Sequence, residues 1–69
     1  MTNTVLLKNA IRKSGLKLKY IAVQLKISPY SLYRKIENRN EFRGSEIREL
    51  GVVLHLSSEE IEEIFLDEW

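Results

Sequence analysis

The sequence has no cysteine, and in 69 residues it has one histidine, one proline and three glycines. Without cysteine, no disulfide or thiolate metal site can stabilise so small a chain, and one histidine cannot make a metal site alone. The core must come from helix packing, in a single domain near the lower size limit for an autonomous fold. Long apolar runs are absent too: none approaches the roughly 18 residues needed to span a bilayer, and the first residues lack the pattern of a signal peptide. A cytoplasmic protein is expected, with no membrane partner. No nucleophile and base pair, paired-carboxylate motif or glycine-rich phosphate loop is present, so no enzyme, cofactor, metal or small-molecule substrate is expected.

What is present is charge, and it is segregated. Residues 1 to 43 carry ten basic side chains against Glu37 and Glu41, a net of +8, whereas residues 44 to 69 carry Arg48 against eight acidic side chains, a net of −7. A polyanion is attracted to the first part and repelled by the second. Solvated helix surfaces are also charged, but that alone does not account for the division.

The stretch from Leu18 to Asn38 organises the rest. Leu18, Ile21, Ala22 and Leu25 recur at the spacing of one helix face, and Leu32 and Ile36 do so in a second helix. Between them, Ser28 can cap a helix start and Pro29 suits the first helical position. This predicts a helix-turn-helix. On a wheel of about 100° per residue, Leu32 and Ile36 define the buried side of the second helix, expected over Pro29 to Asn38. Arg34 then lies opposite that side, with Tyr30 one turn before it, Ser31 and Glu37 beside it, and Tyr33 and Lys35 on the flanks. Tyr, Ser and Arg can offer hydrogen bonds to base edges in a major groove, and Arg34 suits a bidentate contact to guanine. Tyr33 reads equally as a half-buried residue directing its hydroxyl to a phosphate or as a base contact.

The flanking elements read as further helices. One spans Asn3 or Thr4 to Ser14, with Leu7, Ala10 and Ile11 inward and Gly15 ending it. Lys8 and Arg12 on its outer side are either solvated charges or phosphate contacts. The next begins near Lys17 or Leu18, where Lys17 and Lys19 oppose the helix dipole unless a phosphate docks there. After the turn at Asn38-Arg39-Asn40-Glu41, Phe42 and Glu46 fit a capping box with a staple if Arg43 is the N-cap, with Ser45 as the rival start. Ile47, Leu50 and Leu54 face inward, and Gly51 suggests another helix passing close. Ser57-Ser58-Glu59-Glu60 caps a last helix, in which Ile61, Ile64 and Phe65 face inward and acidic side chains complement the dipole.

Gly15-Leu16, Ala22, Leu25, Ile27-Ser28, Leu32, Arg34-Lys35-Ile36, Glu41-Phe42, Ser45-Glu46-Ile47, Leu54, Leu56 and Glu59-Glu60 resemble the DNA-binding domains of phage Cro-type and repressor-type proteins, from about Leu7 to Phe65. The resemblance implies an all-α, compact five-helix lambda-repressor-like domain that binds a double-stranded DNA operator and regulates transcription, as a Cro-like phage or prophage repressor does. Carried onto this chain, it implies base contacts from Pro29, Tyr30, Ser31 and Arg34, and phosphate contacts from Lys17, Lys19, Ser28, Tyr33, Lys35, Asn38, Arg39, Asn40 and Arg43. Three positions depart from or adapt the family pattern. Lys26 stands where the family has Gly, at a cost of about a kcal/mol if φ is positive. Leu18 replaces a Gln that commonly holds a phosphate. His55 takes a post-helical Gly position and is read as structural, since His tolerates a left-handed backbone better than most residues.

The motif usually works as a two-fold dimer. Leu66 and Trp69 on the outward side of the last helix are the candidate interface, weak in solution and completed on DNA; Trp69 reads equally as a lid on its own subunit's core, and the fourth helix with the loop before it is the other candidate surface. A different class also fits the pattern: a protein-interaction module that keeps the scaffold and has lost DNA binding, since tyrosines suit protein interfaces as well as DNA.

Overall fold

Asn3 starts the first helix by accepting a hydrogen bond from Leu6 N–H at 3.1 Å, and from there the computed structural model, which describes residues 1–65, runs through five helices. These are α1 (Thr4–Ser14), α2 (Leu18–Leu25), α3 (Pro29–Ile36), α4 (Gly44–Val53) and α5 (Ser58–Ile64), with no strand among the described residues. None is long and apolar enough to cross a membrane. The proposed contact residues Leu66 and Trp69 lie outside the described residues.

The first four helices all end on a left-handed residue, and only the first of these is glycine: Gly15 (φ 72°), Lys26 (φ 61°), Asn38 (φ 65°) and His55 (φ 55°). After α2, Lys26 N–H donates to Val23 O at 3.1 Å and Ile27 N–H to Ala22 O at 3.0 Å. After α4, His55 N–H donates to Val52 O at 3.3 Å and Leu56 N–H to Gly51 O at 2.9 Å. Each pair of bonds satisfies carbonyls that the helix end leaves open, which offsets the roughly 1 kcal/mol of placing a β-carbon in this region. The same device ends α3 at Ile36, two residues before the expected Asn38, with Asn38 N–H donating to Lys35 O and Arg39 N–H to Arg34 O.

α2 packs on α3 and α4, while α1 packs on α3 and α5. Leu7, Ile21, Leu32, Ile47, Leu50 and Phe65 are wholly enclosed between them. Ala22 is also fully buried. Phe42 and Phe65 meet edge to face, with ring centroids 5.5 Å apart, the geometry favoured by the ring quadrupoles. Gly51 marks a close approach: a β-carbon there would lie 2.9 Å from Ile61 Cδ1 of α5, so that side chain would have to shift. The α4 start follows the Arg43 N-cap alternative, but only half of the expected capping box can form. Glu46 accepts from Arg43 N–H at 2.8 Å, whereas an arginine side chain has no acceptor to return the bond.

Candidate nucleic-acid interface

α3 has its start fixed by Ser28, whose hydroxyl oxygen accepts from Ser31 N–H at 3.0 Å, so Pro29 and Tyr30 emerge at a defined angle. Tyr30 is 67% exposed and Tyr33 48%, while Ser31 is partly buried. Arg34 lies between Tyr30 and the loop after α3. Its Nε donates to Asn40 Oδ1 at 2.8 Å, its Nη1 approaches Tyr30 Oη at 3.4 Å, and its guanidinium carbon is 5.8 Å from the Tyr30 ring centroid. Glu37, which the wheel sets beside Arg34, instead pairs with Lys8 of α1 at 2.7 Å. Arg34 is therefore held by neutral groups and keeps its whole charge.

Two expected phosphate contacts are corrected by the structure. Lys35 is buried, and its Nζ lies 2.6 Å from Glu46 Oε1 of α4, with side chains only 11% and 8% exposed. The position follows from spacing: Lys35 is three residues after Leu32 and one before Ile36, so it belongs to the buried stripe, and an enclosed ammonium needs a carboxylate. The sequence signal is Glu46, eleven residues on in the first turn of α4, whose carboxylate the local spacing gives to the helix cap alone. Its Oε1 does both jobs, accepting from Lys35 Nζ and from Arg43 N–H.

Asn38 is the second correction. Its Nδ2 donates to Thr2 O at 2.7 Å and to Thr4 Oγ1 at 3.2 Å, and its Oδ1 accepts from Thr2 N–H at 2.9 Å. Thr4 Oγ1 donates in turn to Ile36 O at 2.7 Å. Asn38 thus ties the start of the chain to the end of α3, and its amide has no donor left for a phosphate. No feature of the local sequence announces this, because Thr2 and Asn38 are 36 positions apart.

The remaining phosphate candidates stay exposed. Lys17, Lys19, Arg39 and Arg43 make no ion pair among the described residues. Lys17 is the N-cap of α2 without a side-chain cap bond, and the first turn of α2 contains no acidic residue, so its N–H groups and two lysines lie together without a counter-charge on that helix. Ser28 still has its hydroxyl hydrogen to donate. Asn40 keeps its amide N–H groups, but its oxygen is engaged by Arg34. Leu18, at the position where a polar residue was expected, joins Ile11, Tyr33 and Ile36 in a shallow groove of about 340 Å³ edged by Lys8, Arg12 and Glu37. This groove sets the start of α2 against the side of α3, while the Arg34 to Asn40 bond sets the following loop against its outer surface. The exposed cations therefore border α3 on both sides. Comparison of the chain with known protein families, with characterised proteins and with solved structures finds no significant match.

Proposed function

We propose that the protein is a sequence-specific binder of double-stranded DNA that regulates transcription in the cytoplasm, as a repressor of the Cro-like kind, with α2 and α3 acting as a helix-turn-helix and no enzymatic activity. One observation carries the reading: α3 presents Tyr30 and Arg34 outward, and the cations bordering it, Lys17, Lys19, Arg39 and Arg43, have no anionic partner among the described residues. Such a surface costs self-repulsion in the free protein, and a nucleic-acid backbone relieves it. The open N–H groups of α2 suit a phosphate, and α3 is the element whose width and polar side chains match a major groove. Phosphate contacts from α2 and the loop position the protein, and Tyr30, Ser31 and Arg34 supply the base readout. One helix of this size reads few base pairs, so two copies on half-sites about 34 Å apart are the working form.

The test is the salt dependence of binding to random and selected duplexes. With four cations per subunit, the slope of log affinity against log salt is expected near about −4 for one subunit and about −7 for two. A slope near −1 would remove the proposed footprint. A second reading has its own support: Leu18, Tyr20 and Val23 leave 40%, 49% and 64% of their surfaces exposed on the short α2, which suits a protein-interaction module. In that case no shift of random duplex is seen even at low salt.

A further inference from the structure

Building on the DNA-binding reading, we infer that Asn40, with Tyr30, is the positioning residue that presets Arg34 to read a single guanine through its two terminal nitrogens. The left-handed turn at Asn38 sends the chain back along α3, which lets Asn40 reach Arg34 six residues earlier. A guanidinium has five N–H groups. The Nε hydrogen is taken by Asn40 Oδ1 at 2.8 Å, one Nη1 hydrogen is directed at Tyr30 Oη at 3.4 Å, and the guanidinium carbon lies 5.8 Å from the Tyr30 ring centroid. Because arginine only donates, the Asn40 oxygen must face it. Three attachments fix the plane of the group and leave one hydrogen on Nη1 and two on Nη2.

Guanine offers O6 and N7 as a pair of acceptors in the major groove, and the two terminal nitrogens supply two parallel donors of matching spacing. The alternative approach through Nε and Nη2 would first have to break the Asn40 bond. The holding groups are also neutral. Glu37, three residues on from Arg34, is drawn off by Lys8 at 2.7 Å, and Arg34 makes no ion pair among the described residues, so it is immobilised without being neutralised. Immobilising it in advance reduces the rotamer freedom lost on binding. Asn40 is thereby reassigned from a phosphate contact to a residue that acts through Arg34.

The test compares Asn40→Ala and Asn40→Asp with the wild type, using a duplex selected by the wild type from a random pool, the same duplex with one G·C pair replaced, and unselected random duplex. For Asn40→Ala, preference for the critical G·C pair falls about tenfold, within the range a bidentate contact provides, while random-duplex affinity stays within about twofold and the salt slope is unchanged. Asn40→Asp restores the acceptor, so it keeps the base preference while binding all duplexes more weakly through its added charge. Equal losses on selected and random duplex with a flatter slope would return Asn40 to the phosphate set and overturn the inference, as would an unchanged base preference in Asn40→Ala. The clamp is also read without DNA: the Arg34 Nε–H resonance of the free protein is slow to exchange in the wild type and in Asn40→Asp and is lost in Asn40→Ala. Its absence from the wild type overturns the inference alone, whereas a wild type that binds no duplex overturns the DNA-binding reading and the inference with it.

Discussion

Replacing Lys35 with Met separates a structural cation from a DNA-binding one, because the two roles predict opposite results in two assays. Lys35 Nζ and Glu46 Oε1 are 2.6 Å apart, with about a tenth of each side chain exposed. The Met side chain retains most of the apolar stem, so little packing is lost. What is lost is the partner of an enclosed carboxylate, which then keeps only the Arg43 N–H bond at 2.8 Å. Breaking a buried pair on one side costs about 3 to 5 kcal/mol, and the surviving bond places this case near the lower end, about 3 kcal/mol. A domain of this length has a total stability of roughly 3 to 10 kcal/mol, and the expected fall in Tm is about 12 to 24 °C. Urea and thermal denaturation measure the loss. The salt slope for random duplex should not change, since an ammonium already paired with Glu46 displaces no counterion from DNA. Should Lys35→Met prove too unstable to assay, Lys35→Met with Glu46→Gln keeps an acceptor for Arg43 N–H without stranding a charge, and it should recover more than half of the loss. Wild-type stability with a slope flattened by about 0.9 per subunit would refute the reasoning and return Lys35 to the phosphate surface.

Arg34→Ala should cost about 1 to 3 kcal/mol on the selected site and relax the choice of one base pair, whereas Lys17→Ala should weaken all duplexes alike; competition binding measures both. Gly51→Ala gains about 1 kcal/mol of helix propensity but forces Ile61 Cδ1, 2.9 Å from the new methyl, off its rotamer, at about 0.5 to 1.5 kcal/mol. It should therefore be nearly neutral alone and stabilising in an Ile61→Val background, a coupling of about 1 kcal/mol that additive denaturation midpoints would exclude. The Glu60 carboxyl is held below its ordinary pKa by the Ser57 backbone N–H, then by the Ser57 hydroxyl, with a smaller attraction from Lys13. A depressed pKa contributes stability that is complete above the unfolded value and lost as pH falls through the folded one. Ser57→Ala should thus raise the Glu60 titration midpoint seen by carboxyl NMR and make the acid limb of the stability curve shallower.

Most of the fold was legible because three of the five helices carry a capping side chain at their start and the apolar periodicity marks the rest. Asn3, Ser28 and Ser57 are capping residues that close bonds within three positions, and Leu7, Ile21, Leu32, Ile47 and Phe65 occupy the inward positions that periodicity assigns. His55 is left-handed, as its place at a position where the resembling family has a post-helical Gly implies, and His tolerates that region better than most residues. The end of α3 was read two residues late. Asn38 belongs to a residue type that adopts the left-handed region readily and it opens the expected turn, yet the sequence alone leaves it open whether the helix runs up to it or stops short; its bonds to Thr2 and Thr4 come with the second outcome.

The candidate surface was legible in charge and only partly in detail, and the difference lies in how far each decisive contact reaches along the chain. A wheel places a Cα on a face, but it does not say whether a long polar side chain at the boundary extends to solvent or turns inward to a partner. Lys35 and Arg34 are adjacent cations on the same helix, yet Lys35 finds a carboxylate eleven residues away on α4 and is enclosed, while Arg34 finds a neutral carbonyl six residues away and keeps its charge at the surface. Glu37 decides part of this by choosing Lys8, 29 positions back on α1. Had Glu37 turned to Arg34, the outward arginine would be paired and α3 would present little net charge. The specificity proposed for this chain therefore rests on a distribution of partners: Glu37 pairs with Lys8 and Glu46 with Lys35, Glu41 makes no ion pair among the described residues, and the one arginine on α3 is left to neutral neighbours.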